Sequence, residues 1–428
     1  MYSIVAVLGG LLLSGVWIGC ALAFTGCFVL YFFGGGAQAL VAIPVATWNT
    51  LFNFSLTALP LYIFLGEIFV MSGLAGKSYD ALAPLFERFP GKLLLTNVVI
   101  CALFGAILGS SMACAAAVGA IAYPELLKRG YNRTSLVGNL AGAGTLGSFV
   151  PPSLGLIIYG SWVNISVGGC FMAALLPSLV CTGLFLIYLT VQCKIHPEIA
   201  PSAPGKVVPL LQALKSTTGI WPLVGLILSI TGIIYFGIAT TTEAGGVAAS
   251  LTLIASIFLR KFSWKGLYRA LLSTTVVCGM LTFIIVGAVI FSISVSVLGI
   301  PRIVVGYIGA SGLQPTIIVL LVYLLYIILG CFFDFISMLL MTLPFVYPIM
   351  INLGYDPFWF GVVLVIVGEM GLLTPPVGMN LYVLQGIAKV SLGEVARGAF
   401  PYFLMLGVTL ILITMFPWLC TWLPATMK

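Results

Sequence analysis

Apolar residues in this chain come in long unbroken runs with short polar turns between them, so continuous hydrophobicity, not a short alternation, sets the elements. Runs near 4–33, 40–72, 169–192, 219–237, 243–259, 270–298 and 399–424 are long enough for a helix to cross a hydrocarbon core of about 30 Å. Stretches 93–127 and 314–350 differ. Each is two shorter apolar runs joined at a polar or glycine-containing point with no hydrophilic loop, which predicts a re-entrant helical hairpin. Residues 135–164 and 357–388 are interrupted by GSFVPPS at 147–153 and GLLTPPVG at 371–378. Two adjacent prolines lack two N–H donors and displace carbonyls one turn earlier, so both helices must unwind there. Non-helical backbone at membrane depth survives only where protein buries it or where it lines a cavity, which makes both breaks candidate sites.

The two interrupted segments superpose at a constant offset of 224 residues, the distance from Pro151 to Pro375. The same offset pairs Tyr123 and Pro124 with Tyr347 and Pro348, and Gly130 and Tyr131 with Gly354 and Tyr355. It also pairs Gly147 with Gly371, Gly169 with Gly393 and Pro177 with Pro401. Ungapped agreement at so many Gly, Pro and Tyr positions predicts an internal repeat.

Basic residues orient the two copies. Lys77, Arg88, Lys92, Lys128, Arg129 and Arg133 bracket the first hairpin, and Lys194, Lys206 and Lys215 follow two crossings later. Arg260, Lys261, Lys265 and Arg269 return to that side, as do Lys389 and Arg397. Counted this way, 15 basic residues share one face, and only Arg302 and Lys428 lie on the other. The richer face is the cytoplasmic one, and the N-terminus lies on it. The first hairpin then enters from the cytoplasm and the second from outside, an inverted repeat.

The expected fold is therefore an all-α polytopic membrane protein of inverted repeats, each with a re-entrant hairpin and a broken helix. Its parts are N-terminal scaffold helices over 1–74, repeat one over 75–192, a cytoplasmic linker over 193–218, further scaffold helices over 219–298, and repeat two over 299–428. Stretches 75–90 and 389–398 are too polar to span and read as interfacial amphipathic helices.

Composition sharpens this picture. Of 428 residues 61% are hydrophobic and only 6% charged, with a mean hydropathy of +1.23, far from the roughly 25% charge of soluble domains. The net charge of +7 sits in clusters between apolar runs, so it serves orientation and does not suggest nucleic acid. The ten cysteines are scattered, with no CxxC pair, and read as small packed residues. The first apolar run lacks a basic leader and is too long for a signal peptide, so it is read as an anchor.

Broken helices in inverted repeats gather solute and coupling-ion sites near the midplane, where half-helix N-termini face anions and freed carbonyls face cations. The first hairpin turns at Gly109, Ser110 and Ser111, whose hydroxyls can serve a solute or simply a packed turn. The second turns near Gly330, Cys331, Phe333 and Asp334, with Asp334 opposite Ser110 by the offset. An ionisable residue at this depth marks an ion or substrate path and can also cap the following helix. Ser337 adds a hydroxyl one turn on. The first break offers carbonyls of Gly147, Ser148, Phe149, Val150 and Pro151; the second offers those of Gly371, Leu372, Leu373 and Thr374, plus the Thr374 hydroxyl. Oxygen-only donors of low charge suit Na⁺ better than a transition metal. Asn380 can bind a solute or another helix. Glu369 can carry a proton or pair within the bundle. Glu67 is expected to meet another helix or a partner subunit, and Thr240 with Glu243 has capping-box spacing.

These residues resemble the large membrane subunit of tripartite ATP-independent periplasmic (TRAP) transporters. The likeness covers nearly the whole chain and is carried by GSSMACAAAVGAIAYPELLKRGY at 109–131, GTLGSFVPPSLGLIIYG at 144–160, ATTTEAGGVAA at 239–249 and GCFFDF with LPFVYP within 330–348. It implies a Na⁺-coupled elevator in the bacterial inner membrane, in which a domain of both hairpins and both broken helices slides through a scaffold. It implies a small membrane (Q) subunit, a periplasmic solute-binding (P) protein, and an organic acid as solute: a dicarboxylate, sugar acid, keto acid or sulfonate. By motif position it places Na⁺ at Ser110 with 147–151, and at 330–334 with 371–375. Where family members often carry small residues after the tip acid, this chain has Phe335 and Ile336, an expected narrowing of the pocket. The runner-up is a symporter of like architecture that needs no binding protein. An intramembrane enzyme would need a nucleophile with a base or a metal site, and the only histidine, His196, sits in a polar loop. A passive channel would not need ion sites in both hairpins.

Overall fold

A computed structural model of the chain describes residues 2–201, 209–258, 260–310 and 312–427. Lys206 with the middle of the linker, the last residue of the expected 243–259 span, and Lys428 lie outside the described residues. The described residues are mostly helical, with no strand among them, and eight helical segments are long and apolar enough to cross a membrane. The chain is an all-α polytopic membrane protein.

Helix ends follow local chemistry. The expected 4–33 span is two helices, Tyr2–Leu13 and Ile18–Phe33, because Gly15 takes a left-handed conformation (φ 76°) and closes the first. The 40–72 run divides into Ala42–Leu51 and Ala58–Met71 around a 3₁₀ turn that the Asn53 side chain caps. The 399–424 run breaks before Pro417 into Leu392–Met415 and Trp418–Thr426, since a residue preceding proline is pushed out of the helical region. Stretch 389–398, expected as an interfacial helix, instead holds a turn at Lys389 and the first turns of Leu392–Met415, started by the Ser391 cap. The amphipathic helix Leu74–Phe86 does form, burying Ala75, Ser78, Tyr79 and Leu82 along one side. Its counterpart by the 224-residue offset is Ile300–Ala310.

The hairpins carry the offset into structure. Leu93–Leu108 and Ser111–Lys128 form the first, Pro315–Gly330 and Phe335–Asn352 the second, and the two returning arms correspond residue for residue. The broken helices are Arg133–Gly144, Leu146–Phe149 and Leu154–Trp162 in repeat one, and Pro357–Leu372 with Met379–Ala388 in repeat two. The Pro151–Pro152 and Pro375–Pro376 peptides are both cis.

Contacts reveal the relative orientation of the copies. At the base of hairpin one, the Tyr123 hydroxyl donates to Ala388 O at 3.2 Å and Arg133 to Lys389 O at 3.3 Å, so that base lies at the end of the second broken helix. At the base of hairpin two, the Tyr159 hydroxyl donates to Pro357 O at 2.7 Å and its ring meets Tyr347, so that base lies at the end of the first. The broken helices run antiparallel and the hairpins enter from opposite ends, as an inverted repeat requires.

Around this unit stands the 34-residue helix Trp264–Val297. Ile18–Phe33 packs along it in parallel, with Gly19 against Phe283 and Gly26 against the Ile290 backbone, the close approach that small residues give membrane helices. Ala58–Met71 joins it through the Ser273 hydroxyl, which donates to Glu67 at 2.6 Å, the interhelical role expected for Glu67. Glu243 and Thr240 form the reciprocal capping box. Lipid and protein divide the surface. In Gln212–Tyr235 only 22% of the apolar window is buried, whereas in Arg133–Trp162, which contains the first break, the share is 94%. Protein, not lipid, therefore surrounds that unwound backbone, which satisfies the rule for irregular structure in a bilayer.

A fully buried chain of side-chain hydrogen bonds ties the amphipathic arm, through hairpin one and the first broken helix, to the final span of repeat two. Tyr79 donates to Asn97 at 2.8 Å, Asn97 to Asn139 at 2.8 Å, and Asn139 to the Tyr402 oxygen at 2.9 Å. Asn139→Leu keeps the volume but strands buried polar atoms on both sides, at a cost of about 1–3 kcal/mol. Its midpoint of thermal unfolding in detergent should fall; a midpoint equal to the wild type would show that this chain of bonds contributes nothing net.

Candidate functional site

Both hairpin tips are seated on the breaks by the same backbone device. The first residue of the half-helix after break one, Leu154, donates its N–H to Gly109 O at 3.3 Å; Gly378, its equivalent by the offset, donates to Cys331 O at 3.1 Å. Glycines allow the approach. A Cβ on Gly147 would stand 2.7 Å from Ser110 O, and one on Gly371 would stand 2.7 Å from Gly330 Cα. Ser110 is thereby brought against Gly147, and Gly330 against Gly371, so each tip is paired with the break of its own repeat.

At tip one, Ser110 is extended and caps Ser111–Lys128 through a long 3.5 Å bond from Ala113 N–H. The Ser111 N–H donates to Ser148 Oγ at 2.9 Å, fixing tip to break. Val150 is extended, and with Pro151 it carries the chain out of helical geometry, so carbonyls there leave the helical ladder. At tip two, Asp334 caps Phe335–Asn352: Ser337 N–H donates to one carboxylate oxygen at 3.1 Å and Ser337 Oγ–H to the other at 2.5 Å. Among the described residues no hydrogen bond joins Asp334 to Ser110, Ser111 or Asn380. Phe333 closes the last turn before the tip through its N–H to Leu329 O. The Thr374 hydroxyl donates to Met370 O at 2.8 Å, which leaves the oxygen's lone pairs available as acceptors.

The halves are unlike in exposure. Break one is buried almost throughout from Gly147 to Ser153, while Pro375 and Pro376 of break two are exposed. Phe335 directly follows the acid of tip two. Its ring is 6% exposed and fills the space beside Gly155 and Gly368, wedging tip two between the two broken helices. Only glycine at 155 and 368 makes room for it.

One grouping was not legible in the sequence. Glu369, at the end of Pro357–Leu372, is wholly buried, and beside its carboxylate stand Ser111, Ser148 and Asn380. The Ser148 side chain has no signal in the sequence beyond being a hydroxyl residue in an apolar run next to the break.

Known proteins resemble this chain over most of its length. A family model described as "Tripartite ATP-independent periplasmic transporter, DctM component" matches residues 5–419. The chain is 32% identical over 444 residues to the C4-dicarboxylate TRAP transporter large permease protein DctM of Vibrio cholerae, spanning 97% of this chain and 95% of that protein. It is 31% identical over 366 residues to the ectoine/5-hydroxyectoine TRAP transporter large permease protein UehC of Ruegeria pomeroyi, spanning 84% and 83%. Among solved structures, the Alcanivorax borkumensis YdaH transporter is similar in fold alone, with a TM-score of 0.62 at 15% identity over 95% of this chain and 99% of that one.

Proposed function

Because the chain belongs to the tripartite ATP-independent periplasmic transporter family as its large permease component, we propose that it takes up an organic acid by coupling to inward Na⁺ flow, through an elevator movement. The solute class is a dicarboxylate, sugar acid, keto acid or sulfonate. A periplasmic binding protein delivers it, a small membrane subunit completes the transporter, and the assembly works in the bacterial inner membrane with the chain's N-terminus in the cytoplasm.

The paired seating of tip on break carries this reading. Each pairing gathers backbone carbonyls, hydroxyls and, in repeat two, one carboxylate, a donor set of oxygens with low charge that fits Na⁺. Ser110 with Gly147, Val150 and Pro151 would hold one ion; Gly330, Phe333 and Asp334 with Gly371 and Thr374 would hold another. Solute binds at the tips, between the Ser110 hydroxyl and the N–H groups of the half-helices that begin at Ser111 and Met379, with Ser337 behind Asp334 as its positioning residue. Movement follows from the inverted arrangement, because both hairpins and both broken helices form one packed unit beside Trp264–Val297.

Reconstitution tests this directly. In proteoliposomes holding this chain and its small subunit, uptake should require both an inward Na⁺ gradient and the loaded binding protein. Equal uptake of free solute without binding protein would favour a self-sufficient symporter; uptake indifferent to Na⁺ would remove the coupling.

A further inference from the structure

We infer that Glu369, Asn380, Ser111 and Ser148 form an additional Na⁺ site that bridges the two repeats, distinct from the two sites in which each tip meets its own break. The inference rests on the Na⁺-coupled reading above. Glu369 is 0% exposed and neither of its carboxylate oxygens has a hydrogen-bond partner among the described residues. Asn380 is also 0% exposed, and neither its amide oxygen nor its nitrogen has one. Two wholly buried polar side chains thus face the same place, with the hydroxyls of Ser111 and Ser148 close beside them.

A charge in such a setting is costly unless an opposite charge accompanies it. Protein does not supply one: among the described residues no lysine, arginine or histidine pairs with Glu369. The available donors are a carboxylate, an amide oxygen and two hydroxyls. That set carries one negative charge and no sulfur or imidazole, which suits a monovalent hard cation better than Zn²⁺ or Ca²⁺. Its parts come from four separate places. Ser111 opens the returning arm of hairpin one, Ser148 lies in break one, and Glu369 and Asn380 stand before and after break two. The Ser111 N–H to Ser148 Oγ bond already fixes two of them, leaving a lone pair of Ser148 for a ligand. An ion here holds tip one to the second broken helix, so filling it closes the unit across the repeat boundary. Neither tip site does so.

Na⁺ alone is a sufficient probe. The purified complex is unfolded thermally in NaCl, with choline chloride holding ionic strength constant, and the dependence of stability on Na⁺ activity counts the ions that the folded protein binds. Glu369→Gln should lower that count by about one relative to the wild type. Ser148→Ala, a milder change, should raise the Na⁺ concentration for half-maximal stabilisation about tenfold and serves if Glu369→Gln does not fold. An unchanged count in Glu369→Gln, or an unchanged half-maximal concentration in Ser148→Ala, overturns the site, and is the result expected of a neutral carboxyl or of water between these groups. If the wild type shows no Na⁺ dependence at all, the coupled reading falls with it; if the wild type responds and the variants respond equally, this site alone falls.

Discussion

Asp334→Asn should reduce Na⁺-driven uptake by roughly 100-fold while leaving the fold intact. The side chain has two jobs that this substitution separates. As a cap it accepts from the Ser337 N–H and hydroxyl, and asparagine caps a helix about as well as aspartate. As the carboxylate of tip two it supplies the charge of its half-site, and losing the charged partner of an ion at this half-buried position costs up to about 3 kcal/mol, with tenfold for each 1.4 kcal/mol. Asp334→Ala should lose the coupling and also about 1 kcal/mol of helix stability. Uptake as a function of Na⁺, measured beside thermal unfolding of both variants, separates the two roles. Wild-type Na⁺ dependence in Asp334→Asn would leave Asp334 as a cap and nothing else.

The largest loss of folded protein is expected at Gly138. It lies in Arg133–Gly144, where that helix crosses Leu392–Met415, and a Cβ added there runs into the backbone of Gly398; one added at Gly398 meets the Thr134 carbonyl. Overpacking usually costs about 1–3 kcal/mol because side chains give way, but a backbone cannot turn to another rotamer. Gly138→Val should therefore cost about 3 kcal/mol or more, a large part of the 5–15 kcal/mol typical of folded proteins. The variant should be recovered mainly as aggregate on size exclusion of a fluorescent fusion. A monodisperse peak at wild-type yield would mean that the two helices can separate at that crossing. The same change at Gly371 pushes against Gly330 Cα at the turn of hairpin two, a looser approach than at Gly138, so it should spare folding more and unseat tip two.

The spans, both hairpins and both breaks were legible in the sequence because each is a local matter. Twenty apolar residues make a span wherever they occur, and adjacent prolines unwind whatever helix contains them. The inverted relation was legible too, since Gly, Pro and Tyr recur at one offset and basic residues report the side. Interruptions without proline pairs were harder: Gly15 divides the first run by a left-handed turn, which a glycine among other apolar residues does not announce. The polar stretch at 389–398 misled because Ser391 and Glu394 start a spanning helix there, with Glu394 meeting Thr134 and Arg133 of the other repeat.

At the site, Ser110, Asp334 and the two breaks stand out in the sequence as polar interruptions of apolar runs, whereas the pairing of each tip with the break of its own repeat was implied by the family resemblance alone. Which tip meets which break depends on contacts between segments about 40 residues apart, and the meeting of Ser111 with Glu369 on segments more than 250 apart. The sequence alone determined that this chain lives in a membrane, repeats itself in inverted form and breaks its helices at two places, because composition, charge and proline act where they stand. Only the tertiary structure decided that Phe335 is a wedge between helices, that Asp334 spends both oxygens on Ser337, and that four polar groups from both repeats converge on Glu369, because packing brings together residues that no local pattern connects.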